Sequence, residues 1–240
     1  MRVDILGVPF DNVTMEEAVD RAMALMEQDG PHRVVTPNAE IVQQAKGDRE
    51  FSDLITGADL VIPDGVGVIY ASRILGRPLK GRVPGIEFAQ ALMEKMAQTG
   101  RRLFLLGAKP GVAEKAAVNL SAEHPGLIIC GTHDGYFKED APVVEAIREA
   151  GADVVFVCLG APKQEKWAVE NGMAAGARLY VGLGGSLDVF AGEVERAPEA
   201  WQRAGLEWLY RAIKQPSRLK RVARLPLFLC SAVGARIKGK

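Results

Sequence analysis

The sequence predicts an α/β fold: a largely parallel sheet with helices on both faces. Two observations carry this. Short apolar runs of strand length recur, as at Val34-Val35, Leu60-Val61-Ile62, Arg102 to Leu106, Asp153 to Leu159 and Arg178 to Val181. Each stops abruptly at glycine or polar residues, and a helical stretch follows. Unbroken apolar runs of this length suit strands buried on both faces, as in parallel sheets. Strand, turn and helix in alternation are the pattern of βαβ units.

Taken in order, Val3 to Val8 reads as a first short strand, and Asp11-Asn12 as a turn. Thr14 with Glu17 three residues on forms a capping box for a helix carrying Ala18, Ala22, Leu25 and Met26 on one face. A first central strand ends at Thr36, and its helix holds Ile41, Val42 and Ala45. Asp48 caps a short helix through Ile55, and a second central strand ends at Asp64. Gly65 and Gly67 permit close backbone approach where the next helix, Val68 to Leu75, begins. The loop from Gly76 to Gly85 is rich in glycine and proline and carries Arg77, Lys80 and Arg82. A long helix, Ile86 to Gln98, closes the first half. The second half repeats strand, glycine turn and helix more regularly, with strands at Arg102 to Leu106, Leu127 to Gly131, Asp153 to Leu159 and Arg178 to Val181.

The last forty residues differ in kind. From Trp201 to Lys240 the bases are Arg203, Arg211, Lys214, Arg218, Lys220, Arg221, Arg224, Arg236, Lys238 and Lys240, against one acid, Glu207. Ten against one gives the tail +9, and the zero net charge of the chain leaves −9 on residues 1–200. Such asymmetry implies an anionic partner for the tail, whether lipid, nucleic acid or diphosphate. The bland alternative is a solvated basic face, which leaves the interleaved Trp208, Leu209, Ile213, Leu219, Val222 and Leu225 unexplained. Pro216 and Pro226 break the segment into two or three helices, and Leu225 to Val233 suits an interfacial helix. The division expected is an α/β core over 1–195 and a basic amphipathic appendage over 196–240. The three cysteines, Cys130, Cys158 and Cys230, are odd in number and far apart, which gives no disulfide framework and suits a reducing compartment; Cys130 and Cys158 end apolar runs and read as buried core thiols. There is no signal-peptide pattern and no apolar run near the ~18 residues of a spanning helix.

Candidate chemistry gathers at the strand ends, where open α/β sheets bind ligands. Thr36 and Asn38 offer a hydroxyl and an amide for sugar hydroxyls, or caps for the following helix. Asp64 offers a carboxylate that can take a proton from an attacking hydroxyl, or a cap for the helix at Gly65. Gln164 orients a substrate or caps its own helix. Three strand-end loops hold glycines before a helix: Gly107-Ala108 with Gly111, Gly160-Ala161-Pro162, and Gly182 with Gly184 and Gly185. Such loops either cradle phosphate on free N–H groups or are simply tight βα turns. None has the spacing of a dinucleotide or Walker loop. Three in one half favour a nucleotide pocket, with Asp134, beside Gly135, or Asp188 accepting from a ribose or base. His32, His124 and His133 lack ligand spacing and no Asp-x-Asp occurs, so no metal or other cofactor is expected. Charge on a departing diphosphate would then fall to Arg82 and the tail arginines.

Five motifs in register carry a resemblance. Val-Thr-Pro-Asn-Ala-Glu at 35–40, Pro-Asp-Gly-Val-Gly at 63–67, Gly-Arg-Val-Pro-Gly at 81–85, Gly-Ala-Pro-Lys-Gln-Glu at 160–165 and Gly-Gly-Ser-Leu-Asp at 184–188 resemble the WecG/TagA/CpsF glycosyltransferase family, from about residue 2 to residue 225. The resemblance implies a Rossmann-like core with a membrane-docking C-terminal appendage, peripheral on the cytoplasmic face of the plasma membrane. It implies an inverting, metal-independent transfer of N-acetylmannosamine from UDP to N-acetylglucosaminyl-diphospho-undecaprenol, in teichoic acid or other surface-polymer synthesis. A UDP-N-acetylmannosaminuronate or other UDP-hexose donor is the alternative within the family. Carried over by motif, Asp64 is the base, Thr36 and Asn38 lie beside the donor sugar, and Arg82 and Gln164 contact substrate or diphosphate. By position in the tail, Arg211, Arg218 and Arg221 join the site.

Two other classes compete. A nucleotide-sugar epimerase or dehydrogenase needs a nicotinamide fingerprint that the glycine spacing lacks. A membrane-docked nucleotide-binding protein without catalysis fits the tail equally. A nucleic-acid partner is disfavoured, because the tail is aliphatic and has no stacking platform of aromatics. Self-association in solution would hide the tail's apolar faces.

Overall fold

A computed structural model describes residues 1–203, 206–214 and 224–238, and its secondary structure is α/β. Six strands form one parallel sheet: β3 (His32–Val35), β4 (Leu60–Val61), β5 (Arg102–Gly107), β6 (Ile128–His133), β7 (Val154–Cys158) and β8 (Leu179–Gly182), in the order β4-β3-β8-β7-β5-β6. All five strand pairings are parallel.

Side chains alternate across this sheet with the period of two that a strand imposes. Val34, Leu103, Leu105, Val154, Phe156, Leu179 and Val181 join one core. That core includes residues of α1 (Met15–Met26), α5 (Gly85–Thr99), α6 (Val112–Glu123) and α9 (Ser186–Phe190). Their neighbours Phe104, Leu106, Val155, Val157 and Tyr180 join the opposite face, against α7 (Ala141–Glu149) and α8 (Lys163–Ala175). Val35 and Val61 face the same way, under α2 (Ala39–Ala45), α3 (Arg49–Thr56) and α4 (Val66–Ile74). Burial on both faces is why these strands read as continuous apolar runs.

Two expectations need correction. The sequence predicts one strand over Val3 to Val8, whereas the structure has an antiparallel hairpin, β1 (Arg2–Ile5) and β2 (Val8–Asp11). Leu6 and Gly7 turn the chain with φ of 57° and 94°, and the Asp4 carboxylate accepts the Gly7 N–H at 3.3 Å. Two positive φ values make the tight hairpin turn, and a leucine in the first position disguises it. The strand ending before Asp64 is also not central: β4 is an edge. Its run is apolar on both faces because Leu60 and Ile62 join one core and Val61 the other, while the hairpin covers its open edge. Buried Asp11 accepts the Val61 N–H at 2.9 Å and pairs with Arg2 (3.2 Å) and Arg21 (2.7 Å).

The tail contributes α10 (Glu199–Arg203), α11 (Glu207–Lys214) and α12 (Arg224–Ile237). Pro226 sits in the first turn of α12, where its missing N–H costs nothing. Phe228 and Ala232 are buried in the core beneath α2 and α4. Among the described residues no helix is long and apolar enough to cross a membrane.

Neighbouring strands diverge twice at their C-terminal ends. β3 leads outward to β4, while β8 leads to α9, whose Phe190 carbonyl accepts from Asn119 of α6 at 2.9 Å. β7 leads to β8, while β5 leads the other way to β6. Such switch points open crevices where ligands bind.

Candidate active site

The first switch point opens into a cleft of about 430 Å³. Thr36, Asn38, Asp64, Arg82, Gly160, Ala161, Gln164, Gly184 and Gly185 all line it.

Each is held by local structure. Thr36 follows β3, and its hydroxyl donates to the Gly182 carbonyl at 2.9 Å, joining the ends of β3 and β8. Of its two readings, Asn38 fulfils capping: its Oδ1 accepts the N–H groups of Glu40 (3.0 Å) and Ile41 (3.1 Å) at the start of α2. That use leaves its amide N–H groups for a ligand. Asp64 is half-buried, immediately before Gly65, the N-cap of α4. Arg82 arrives on a loop pinned by the Val83 N–H to the Pro63 carbonyl, 2.9 Å. The next turn, Pro84-Gly85, starts α5 directly against the Thr36 side chain.

Gln164 does not cap α8; Pro162 is the N-cap. The buried Gln164 amide instead reaches the loop after β8, where Oε1 accepts the Gly184 N–H at 2.9 Å. Its Nε2 donates to Glu165 Oε1 at 2.8 Å. Burial raises the Glu165 pKa, and the Gln164 hydrogen bond offsets only part of that. Its other oxygen has no hydrogen-bond partner.

The nucleotide residues expected together divide between two places. Gly107, Ala108, Asp134, Gly135, Pro162 and Asp188 are not among the cleft's lining residues. Gly107, Ala108, Asp134 and Gly135 gather at the second switch point. A Cβ on Gly107 would overlap the Cys158 carbonyl of the adjoining strand, so only glycine lets β5 and β7 close up there. The Gly135 N–H donates to the Ala108 carbonyl at 2.8 Å, and Lys163 Nζ donates to the Gly135 carbonyl at 3.0 Å. The Asp134 carboxylate accepts the Tyr136 N–H at 2.7 Å, which closes its own turn. Asp188 lies in α9, half-buried beside Gly185. The buried Cys158 thiol, pushed up to about 12 by its burial, stays protonated.

The tail supplies cleft residues that sequence reasoning missed. Glu207, Trp208 and Leu225 line it, as do Glu40, Gln44 and Ser186. Glu40 stood in the first motif; Trp208 and Leu225 showed only as apolar positions, which say nothing about what they pack on. Leu225 comes so close to α4 that a Cβ on Gly67 would lie 2.6 Å from its Cδ1. Arg196 holds the start of α11, with Nη2 3.0 Å from Glu87 and 3.7 Å from Glu207. Among the described lining residues Arg82 is the one cation, against the acids Glu40, Asp64 and Glu207. Arg211 belongs to α11, but its side chain is outside the described residues, as are Arg218 and Arg221 altogether.

The family model described as "Glycosyl transferase WecG/TagA/CpsF family" matches residues 3–240. The chain belongs to the WecG/TagA/CpsF glycosyltransferase family. Among curated proteins, it is 35% identical over 241 residues to N-acetylglucosaminyldiphosphoundecaprenol N-acetyl-beta-D-mannosaminyltransferase of Staphylococcus aureus strain MW2. The proteins of the same name from strains MRSA252 and NCTC 8325 / PS 47 are equally similar. Each match covers 100% of this chain and 95% of the relative. As a WecG/TagA/CpsF glycosyltransferase, this chain carries all five motifs on the strand ends, loops and helix starts around one sheet edge.

Proposed function

We propose that this glycosyltransferase moves N-acetylmannosamine from UDP to the N-acetylglucosamine of an undecaprenyl-diphosphate acceptor, with inversion. The relatives' names supply the acceptor and the sugar. One observation carries the mechanism: a carboxylate, Asp64, and a guanidinium, Arg82, border the same cleft as tail residues Trp208 and Leu225.

The acceptor hydroxyl attacks the anomeric carbon from the side opposite UDP. Asp64 takes the hydroxyl proton as the new C–O bond forms. The anomeric bond to the diphosphate breaks, and UDP leaves with the electron pair. One displacement inverts the anomeric centre and needs no covalent intermediate with the protein. Thr36 and the Asn38 amide hold donor-sugar hydroxyls, and Gln164 keeps the Gly184 loop in place beneath them.

The departing diphosphate needs more positive charge than Arg82 provides beside three acids. Arg211, Arg218 and Arg221 answer that need in this reading, by closing over the cleft with the tail. Gly160, Ala161 and Gly185 offer backbone N–H groups to the diphosphate, and Gly184, whose own N–H is taken by Gln164, shapes the loop that presents them. Gly107, Ala108, Asp134 and Gly135 at the neighbouring crevice receive the nucleoside. A lipid-linked acceptor brings the enzyme to the inner face of the membrane.

The test is a panel of UDP-sugars with a short-chain N-acetylglucosaminyl lipid diphosphate, and mass spectrometry of the product. A disaccharide product formed from UDP-N-acetylmannosamine is expected. Transfer from another UDP-sugar alone would overturn the donor, and no transfer from any would overturn the reaction.

A further inference from the structure

Arg77 belongs to the same loop as Arg82 but lines a different cavity, of about 450 Å³. This cavity lies between the hairpin turn, the ends of α2 and α4, and the last turns of α12. Leu6, Leu75 and Ala235 give it apolar walls. Lys46, Arg77 and Lys238, all exposed, bring three cations to it from three separate elements.

Other bases on these elements are spoken for: Arg2 of the hairpin pairs with Asp11, Lys80 of the Arg77 loop with Glu17, and Arg236 of α12 donates to the Leu75 carbonyl at 3.2 Å. Among the described residues, no carboxylate lies within ion-pair distance of Lys46, Arg77 or Lys238. Asp4, the one acid lining the cavity, already accepts the Gly7 N–H. Three like charges around one apolar-walled space attract an anion with a polar head and an apolar body.

The adjoining surface has matching character. Leu227, Val233 and Ile237 of α12 are 61%, 45% and 80% exposed. At 100° per residue they fall within about 120° of arc, on the side away from buried Phe228 and Ala232. An apolar ridge beside basic residues is the pattern of a helix lying in a membrane interface.

We infer that the cavity takes the phosphate of an anionic phospholipid, seating the C-terminal half of α12 on the bilayer. The inference rests on the lipid-linked acceptor of the preceding section and adds a separate site. Leu225 lines the catalytic cleft and Ala235 this cavity, about 15 Å apart along one helix. A headgroup held at one end therefore sets the height of the cleft above the membrane.

Sedimentation of the full chain with phosphatidylglycerol/phosphatidylcholine vesicles, and with phosphatidylcholine alone, tests this. The wild type should prefer the anionic vesicles. Lys46→Gln/Arg77→Gln should weaken that binding about tenfold or more. Its melting temperature and its turnover of a water-soluble acceptor should not change. Unchanged vesicle binding by this variant would overturn the headgroup site and leave the transferase reading standing. Failure of the wild type to bind any vesicle would remove the membrane reading itself. Binding of glycerol phosphate by the lipid-free wild type, lost in the variant, with vesicle binding unchanged when the cavity is saturated by it, would assign the cavity to a soluble phosphate and overturn the lipid.

Discussion

Gln164 accepts the Gly184 N–H through its side chain, and so fastens the start of α8 to the loop after β8. Its other end is held by Glu165, so the amide cannot turn over without losing both bonds. Gln164→Ala leaves the buried Glu165 oxygen and the half-buried Gly184 N–H without their partner, at a cost of about 1–3 kcal/mol. We expect a lower denaturation midpoint and a raised KM for the UDP-sugar, because the Gly184 loop loses its anchor. Unaltered kinetics alongside the lost stability would confine Gln164 to a structural role.

Glu165 makes stability depend on pH in a particular direction. Its folded pKa lies above the ordinary 4.5 because of burial. Below 4.5 both folded and unfolded chains hold the proton, and the contribution is fully present. As pH rises through 4.5 towards the folded value, the unfolded chain ionises first, so stability falls. Glu165→Gln removes this dependence and should flatten that part of the curve. Urea unfolding of both proteins between pH 4 and 8 checks it; parallel curves would show that Glu165 does not contribute.

Helix α12 is expected to be part of the stable fold. Phe228 is fully buried beneath α2 and α4. Phe228→Ala should cost about 3–5 kcal/mol, seen as a lowered thermal midpoint in calorimetry. A chain ending before residue 224 should lose at least as much. Melting like the full chain would mean that α12 does not stay docked.

The Gly67 contact separates packing from catalysis. An alanine methyl there would meet Leu225 at 2.6 Å and Ala39 at 3.0 Å. Gly67→Ala should turn the Leu225 side chain from its place on the cleft wall, at a cost of up to about 1–3 kcal/mol of stability. Transfer to the lipid-linked acceptor should drop more steeply than the stability loss explains. Normal transfer by this variant would show that Leu225 does not need its place at the cleft.

Much of this was legible in the chain. The strands announce themselves because Val154 to Cys158 and Leu103 to Leu106 are buried on both faces. Residues 36, 38, 64 and 82 share a cleft because parallel strands all end at one edge of the sheet. What the sequence hid depends on distance along the chain. Asp11 looked like a turn residue until Arg2, Arg21 and Val61 stood around it. Gln164 read either as orienting a substrate or as capping its helix; the cap is not made, and its partner is twenty residues away in the next loop. Trp208 counted only as apolar until α11 brought it to the cleft. The nucleotide loops read as one pocket, but strand order, which no local pattern encodes, sets Gly107 and Gly135 at a separate switch point.

Asp64→Asn tests the central claim most directly, with turnover and UDP affinity measured on the same preparation. Loss of a general base costs about 10²–10⁴-fold in rate. The account predicts a fall of that size in transfer from UDP-N-acetylmannosamine to the lipid-linked acceptor, with UDP bound as tightly as before. Transfer at the wild-type rate would contradict it.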